Sequence, residues 1–134
     1  MDKKRRISVP AKMRANLGER VVVTKGVDEC LELYPVKEWE RKAEYLQNLP
    51  TARRETRALI RVILGSASEI ELDKLGRILI PEYLTDYAEL KKEVIVVGLG
   101  NRIELWNSER WEEYRSKAED NLPALIEKIE ELGV

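Results

Sequence analysis

Apolar residues recur with two different periods along this chain, and the two periods predict short strands that alternate with helices. Alternating or β-branched apolar runs predict strands, whereas apolar positions three and four residues apart predict helices. The predicted strands cover residues 7–9, 21–24, 30–34, 69–72, 77–80, 94–97 and 102–106. The predicted helices cover residues 11–17, 36–49, 51–64 and 81–87, one helix that begins at Ser108, and a last helix between Pro123 and Gly133. Thr51 and Ser108 are of the residue types that cap helix N-termini, so we expect each to cap its helix.

The same order of elements occurs twice. Residues 2–10 read Asp-Lys-Lys-Arg-Arg-Ile-Ser-Val-Pro, and residues 73–81 read Asp-Lys-Leu-Gly-Arg-Ile-Leu-Ile-Pro. Residues 31–34 with Trp39 are likewise matched by residues 103–106 with Trp111. An ordered repeat indicates one structural unit used twice. Because each half is short for burying a stable core, we expect an α+β, β-rich fold in which the halves interleave into one small barrel with helices outside.

Composition excludes several classes of protein. The chain has 134 residues, of which 43% are hydrophobic and 37% charged, and this balance is typical of a globular protein. No apolar run approaches the ~20 residues of a membrane span, and no signal peptide is visible. Cys30 is the single cysteine, so no intrachain disulfide is expected and a reducing cytosol fits. The chain has no histidine, and we predict no catalytic residues, no metal site, no cofactor and no enzymatic activity.

The net charge of −1 hides an uneven distribution of charge along the chain. The segment 1–14 carries one acidic residue, whereas the segment from residue 109 to the end is acidic. The basic residues of the first segment are Lys3, Lys4, Arg5, Arg6, Lys12 and Arg14. Such segregation creates local fields that attract charged partners. The repeated arginine that follows an acidic turn is therefore suited to reading a repetitive, negatively charged polymer.

These repeated residues resemble the MraZ family of bacterial regulators, which have two SpoVT-AbrB-type units in one chain. The resemblance covers nearly the whole chain, and the doubled Asp-x-x-x-Arg with its linker is its most specific feature. It is carried by residues 2–10, 31–39, 57–69, 73–81, 93–98 and 104–106.

The resemblance implies a duplicated swapped-hairpin barrel that forms an intramolecular pseudo-dimer. The expected organisation is a first unit at 1–50, a linking helix at 51–65 and a second unit at 66–134. It also implies a sequence-specific, DNA-binding transcriptional regulator in the cytoplasm, associated with the nucleoid. Such a protein binds short direct repeats in the promoter of the division and cell-wall gene cluster as a ring-shaped homo-oligomer.

The chain departs from the family pattern at two places. In the family a strand of about ten residues precedes the first motif aspartate, as residues 66–72 precede Asp73, whereas only Met1 precedes Asp2 here. A missing strand would leave a sheet edge exposed. The family also has glycine before the motif arginine. Gly76 keeps it, but Arg5 replaces it in the first copy, where a turn with positive φ would be strained.

Eight residues are candidates for DNA contact. Arg6 is the first choice, since the resemblance places it on DNA and its planar fork suits a guanine edge or a phosphate. Arg77 is its repeat, but nearby acids favour an alternative in which Arg77 only pairs with Asp73 and fixes the turn. The same alternative, pairing with Asp2, exists for Arg6. The others are candidate phosphate contacts, with Lys12 and Arg14 equally interpretable as ordinary surface residues: Lys3, Lys4, Arg5, Lys12, Arg14 and Lys74.

Two other functions remain open from the sequence. The lost strand and Arg5 are compatible with an oligomeric interaction module of the same fold that has weak or no DNA binding. An AbrB-type antitoxin is the second alternative, and a free C-terminal tail would support it. The C-terminal segment instead has the pattern of a capped helix.

Overall fold

The computed structural model describes residues 1–133, and these form an α+β fold in which strands and helices alternate. The first half contains β1 (Arg6–Ser8), α1 (Ala11–Arg14), β2 (Arg20–Lys25), β3 (Leu31–Pro35), α2 (Val36–Gln47) and α3 (Arg54–Ser66). The second half contains β4 (Ser68–Glu71), β5 (Arg77–Leu79), α4 (Glu82–Tyr87), β6 (Val94–Gly98), β7 (Ile103–Asn107), α5 (Ser108–Asp120) and α6 (Leu122–Glu131). The predicted mixed fold with a repeated order of elements is confirmed.

The two halves interleave through strand pairing. β1 pairs antiparallel with β5 in a two-stranded ribbon, and the remaining strands form a five-stranded sheet in the order β4-β2-β3-β7-β6. Three of these pairings, β1–β5, β2–β4 and β3–β7, join one half to the other. Within residues 1–133 the five-stranded sheet is open, with β4 and β6 as its edges, so the predicted closed barrel is not found.

One core lies between the ribbon and the inner face of the sheet. Its side chains come from both halves in matched positions, as the repeat predicts. The ribbon and the segments after it contribute Ile7, Val9, Ile78 and Ile80, and the sheet contributes Val21, Val23, Leu31, Leu33, Ile103 and Leu105. Each of these residues is at most 4% exposed. Since the cluster crosses both halves, neither half has a separate core to bury.

Helices α2 and α5 cover the outer face of the sheet in equivalent ways. Tyr34 lies 5.6 Å from Trp39, and Trp106 lies 5.4 Å from Trp111, measured between ring centroids. Through these tilted aromatic pairs the tryptophans pack the helices onto the strands. Glu32 is buried and accepts a hydrogen bond of 2.5 Å from the Tyr34 hydroxyl.

Two predicted helix caps are wrong. α3 begins at Arg54 rather than after Thr51, because the Arg57 guanidinium binds the carbonyl of Thr51 at 2.9 Å and holds this segment outside the helix. α5 does begin at Ser108, but its cap is Asn107, whose side-chain oxygen accepts from the Arg110 backbone N–H at 3.1 Å. The side-chain oxygen of Asn107, one residue before Ser108, therefore binds a free backbone N–H of the first turn, which is the role that a serine cap would have.

The repeat is broken at one edge of the sheet. In the first half, β2 is covered on its outer side by β4, with Arg20 opposite Glu71 and Val23 opposite Ser68. The equivalent strand β6 has no strand beyond it among residues 1–133. β6 is therefore an edge strand of the sheet that the described residues form.

Candidate nucleic-acid interface

The two Asp-x-x-x-Arg motifs fold into nearly identical turns. Asp2 Oδ1 accepts hydrogen bonds of 2.9 Å from the backbone N–H groups of Lys4 and Arg6, and Asp2 Oδ2 accepts a hydrogen bond of 2.8 Å from Arg6 Nε. Asp73 repeats the pattern: it accepts hydrogen bonds of 2.8 Å from Leu75 N, 2.9 Å from Arg77 N and 2.8 Å from Arg77 Nε. Each aspartate therefore closes its turn and orients its arginine through a single nitrogen.

These hydrogen bonds favour the ionised form of both aspartates. The hydrogen bond from the Arg6 backbone N–H is the main reason that the pKa of Asp2 lies below its ordinary value. Desolvation opposes this shift, and the hydrogen bonds from the Arg6 guanidinium and the Lys4 N–H lower the pKa further. The backbone N–H and guanidinium of Arg77 lower the pKa of Asp73 in the same way. At neutral pH each motif is therefore a carboxylate that holds a guanidinium by charge-assisted hydrogen bonds.

Each turn needs one residue in the left-handed region, and the two copies meet that need differently. Gly76 has φ +75° and Arg5 has φ +61°. Glycine adopts this conformation without steric cost, whereas arginine does so at a cost of ~1–2 kcal/mol. The expectation of a strained first turn is confirmed. The carbonyls of both residues are used across the repeat, since Val9 N donates to Gly76 O and Ile80 N to Arg5 O, each at 3.0 Å.

The ribbon brings both motif arginines onto one face. Arg6 lies opposite Leu79, and Ser8 lies opposite Arg77. Since alternate residues of a strand share a face, these four side chains point away from the core, while Ile7 and Ile78 between them are buried. Arg6 and Arg77 are diagonal neighbours across the ribbon, a relation that places Cα atoms roughly 7–8 Å apart.

The lysines of the motifs lie in the two turns, which sit at opposite ends of the ribbon. Lys3 and Lys4 are exposed in the first turn, and Lys74 is exposed in the second beside Leu75, which is 68% exposed. The outer surface is therefore a short ribbon with two arginines in its middle and a lysine-bearing turn at each end. We call this surface, formed by residues 2–8 and 73–79, the ribbon face.

Arg5, Arg14 and Lys12 are placed less directly for contact. Arg5 is half-buried and its Nε donates to the Ile80 carbonyl at 3.4 Å, so its side chain runs across the ribbon end. Arg14 lies under the second turn, so close that a Cβ on Gly76 would be 2.1 Å from Arg14 Nη1. Lys12 is exposed, but it lines a cavity together with the β6–β7 turn rather than with the ribbon. Six of the eight candidates therefore share the ribbon face, and Arg14 and Lys12 lie outside it.

Sequence reasoning missed two residues of the ribbon face. Ser8 and Leu79 lie between the arginines, and Leu79 is 54% exposed although it is apolar. Alternation within each motif already places residue 8 beside residue 6 and residue 79 beside residue 77. The cross-strand register was needed to show that the two pairs form one surface, since nothing local to either motif specifies its partner strand.

Among residues 1–133, none of the helices combines the length and the apolar character needed to cross a membrane.

Comparison with known proteins gives one consistent result. The sequence model of the family described as "MraZ protein, putative antitoxin-like" matches twice, at residues 1–62 and 63–128. A protein of Halothermothrix orenii named transcriptional regulator MraZ is 46% identical over 134 residues, covering 100% of this chain and 94% of the relative. Proteins with the same name are 42% identical in Natranaerobius thermophilus, with the same coverage, and 45% identical in Desulforamulus reducens, with 98% of this chain and 93% of the relative covered.

Proposed function

The chain belongs to the MraZ family of transcriptional regulators, and from that premise we propose that its ribbon face reads DNA sequence. We propose further that the target is a set of short direct repeats in the promoter of the division and cell-wall gene cluster. The binding form is a ring-shaped homo-oligomer in the cytoplasm, at the nucleoid. Each chain in it is a swapped-hairpin pseudo-dimer with units at 1–50 and 66–134 and a linking helix at 51–65.

The observation that carries the proposal is the convergence of both repeated arginines on one two-stranded ribbon. A two-stranded β-ribbon fits the major groove of B-DNA, where each base pair presents a distinct pattern of donors and acceptors. The ribbon face supplies the donors that such a groove requires. Its side chains emerge from regular backbone, which holds their positions better than a free loop does.

Pairing with aspartate prepares each arginine for base contact. Arg6 and Arg77 each give Nε to their aspartate, at 2.8 Å in both copies. An arginine has five N–H donors, so the two terminal nitrogens remain available to form a bidentate pair with O6 and N7 of guanine. The aspartate also reduces the conformational freedom that the side chain loses on binding. The pairing therefore does not argue against contact, and it applies equally to Arg77, for which the sequence favoured pairing alone.

The other residues of the ribbon face have distinct roles. Lys3, Lys4 and Lys74 reach phosphates on either side of the groove and add affinity that is independent of sequence. Leu79 offers an apolar contact for a thymine methyl group, and the Ser8 hydroxyl can donate to or accept from either kind of base pair.

Assembly turns weak single contacts into selective binding. One ribbon face covers only a few base pairs, but several faces held at fixed spacing in a ring engage repeated boxes together. The second and later contacts are then intramolecular, and avidity rises by about 10²–10⁴-fold without new contacts. Only boxes repeated in phase with the ring gain this factor.

The test is fluorescence anisotropy with a duplex that carries tandem repeats from this promoter and with a scrambled duplex, over a salt series. We expect tight binding to the repeats that falls steeply with salt. Arg6→Ala and Arg77→Ala should each cost ~1–3 kcal/mol per ribbon face and reduce the preference for the repeats. Arg6→Lys should recover charge but not preference, because lysine lacks the bidentate fork.

Two further variants separate roles. Lys74→Ala should weaken binding to both duplexes equally, and it should lower the slope of log affinity against log salt concentration by about one. Arg41→Ala is the matched control, since Arg41 lies on α2 away from the ribbon and its ion pair within residues 1–133 is with Glu38, at 3.0 Å. Equal, weak binding of the intact chain to both duplexes would reject DNA reading and favour an interaction module of the same fold. Capture of a partner protein by the same chain would favour an antitoxin.

A further inference from the structure

α6 is an amphipathic helix without a partner for its apolar face. Five large apolar residues recur at helical spacing along one side, and each is exposed by between 43% and 68%. They are Leu122, Leu125, Ile126, Ile129 and Leu132. Within the described chain α6 packs only weakly, on α5, and buries no residue. A helix of ten residues is marginal by itself in water, so this face requires a covering surface.

The first half shows what such a helix covers. There α3 lies on the outer face of β2, where Thr24 Oγ1 donates to Ile63 O at 2.7 Å and lies 3.0 Å from Ser66 Oγ. Val22 and Thr24 are consequently 4% and 0% exposed. The outer face of β2 is therefore a surface on which a helix packs, and we call such a surface a seat. In the first half α3 of the same chain occupies this seat.

The second half has the same seat, left open. Ile95 lies opposite Trp106 as Val22 lies opposite Tyr34, and Val97 lies opposite Glu104 as Thr24 lies opposite Glu32. Ile95 and Val97 are thus the repeat equivalents of Val22 and Thr24. Both are only half-buried, and both are apolar. The outer face of β6 is the second seat. Because it has no hydroxyl in the position of Thr24, a purely apolar helix face suits it better than a face such as that of α3, where Ser66 meets Thr24.

The connection to α6 prevents it from filling the seat of its own chain. α2 ends at Gln47 and α3 begins at Arg54, which leaves six residues for the chain to turn back over β2. α5 ends at Asp120 and α6 begins at Leu122, so Asn121 alone connects them. One residue does not let a helix reverse onto the strand that its predecessor already flanks. In agreement with this constraint, no residue of α6 is buried within the described chain.

The charge of α6 selects between a protein and a membrane as its partner. Its polar side carries Glu127, Glu130 and Glu131 against Lys128 alone. Helices that lie on membranes have basic polar faces, because biological membrane surfaces are anionic. An acidic helix with an apolar stripe fits a protein surface instead.

We propose that α6 of one chain occupies the open seat on the outer face of β6 in a second copy. The apolar face of α6 is uncovered and so is the apolar outer face of β6, and each can cover the other. The contact is heterologous, because the helix and the seat are different surfaces, and repeated heterologous contacts close into rings when the rotation permits. This inference rests on the proposed ring and names the surfaces that build it.

The test uses cysteines placed one per chain. Ile129→Cys and Val97→Cys chains are co-expressed and oxidised; the native Cys30 is buried and should not interfere. We expect a covalent dimer that contains one chain of each kind. Glu131→Cys, on the polar side of α6, is the matched control and should give little dimer with Val97→Cys. A dimer no more abundant than with the control would overturn the proposal.

A second measurement covers assembly without cysteines. Ile129→Glu changes an exposed residue, so the chain should remain folded by circular dichroism while its mass by sedimentation falls to that of one 15.6 kDa chain. Glu131→Gln should assemble normally. A folded Ile129→Glu chain that assembles like the unchanged protein would refute the proposed contact.

DNA binding is scored separately with a duplex that carries a single box. Specific binding by the Ile129→Glu monomer would uphold DNA reading whatever happens to the ring. Intact cross-linking with no DNA preference would uphold the interface and reject the proposed function.

Discussion

Gly76→Ala perturbs the second turn in two ways that the structure separates. The residue has φ +75°, where alanine is disfavoured by ~1–2 kcal/mol, offset in part by ~0.4–1 kcal/mol from the lower entropy of the unfolded chain. Its Cβ would also lie 2.1 Å from Arg14 Nη1 and 2.6 Å from Arg14 Cδ, so the arginine must move. Overpacking of this kind costs ~1–3 kcal/mol. The expected total loss of stability is therefore ~1–4.5 kcal/mol once the offset from the unfolded chain is subtracted.

Equilibrium urea unfolding at fixed chain concentration measures the two contributions. Gly18→Ala is the matched control, because Gly18 has φ +78° but open space around its Cβ position, and it should cost only ~1 kcal/mol. Arg14→Ala should by itself be nearly neutral, since Arg14 Nε is buried without a hydrogen-bond partner in the described structure. In the Arg14→Ala background, Gly76→Ala should fall to the cost of the control.

The double-mutant cycle gives the decisive number. A coupling of ~1 kcal/mol or more between positions 14 and 76 is expected, since the side chain removed is the one that the new methyl group meets. Equal costs of Gly76→Ala in both backgrounds would refute the assignment of Arg14 as the side chain that the new methyl group meets. Equal costs of Gly76→Ala and Gly18→Ala would show that backbone conformation alone decides the effect.

Three further predictions concern stability and reactivity. Asp2 and Asp73 have folded pKa values below 3.8, so the stability that their ionised forms add to the fold is complete above that pH and is lost as the pH falls through the lowered values. NMR of the carboxyl carbons measures both pKa values, and a value of 3.8 or higher for either residue would contradict the prediction. Thr24→Val should cost ~1–2 kcal/mol in urea unfolding because a buried hydroxyl loses its bond to α3, and unchanged stability would show that this bond contributes nothing. Burial, with nearby carboxylates, raises the pKa of Cys30 to about 12, so a thiol reagent at pH 8 should modify it far more slowly in the native chain than in denaturant. Similar rates in both conditions would place this thiol at the surface.

Local sequence predicted the elements of this fold well where a short pattern is sufficient. The strands at residues 21–24 and 30–34, the short helix at 81–87 and the helix from Val36 follow from period and from proline, and the structure has them with small shifts. The caps at Thr51 and Ser108 failed because a neighbouring side chain, Arg57 or Asn107, satisfied the backbone groups concerned. Several residues near a helix end can serve as partners, and local sequence does not rank them.

The candidate interface was only partly contained in the sequence. The motif specified the turn, because Asp2 and Asp73 each bond groups no more than four residues away. The positive φ of Arg5 was likewise visible from the glycine at its repeat position. By contrast, the placement of Arg14 under Gly76 joins two residues that are 62 positions apart, and no local pattern indicates it. Contacts of this kind exist only once the halves have interleaved.

The sequence by itself determined that one unit is used twice, that each copy places an arginine four residues after an aspartate, and that the elements alternate in a fixed order. Hydrogen bonds within a turn and side-chain periods along a strand or helix act over a few residues, so a linear pattern contains them. Only the tertiary structure decided that both arginines share one ribbon face, that β6 is an edge of the sheet formed by residues 1–133, and that α6 buries none of its residues there. The reason is physical: strand register and the coverage of apolar faces depend on which distant segments meet, and those segments meet only to bury a core that neither half can form alone.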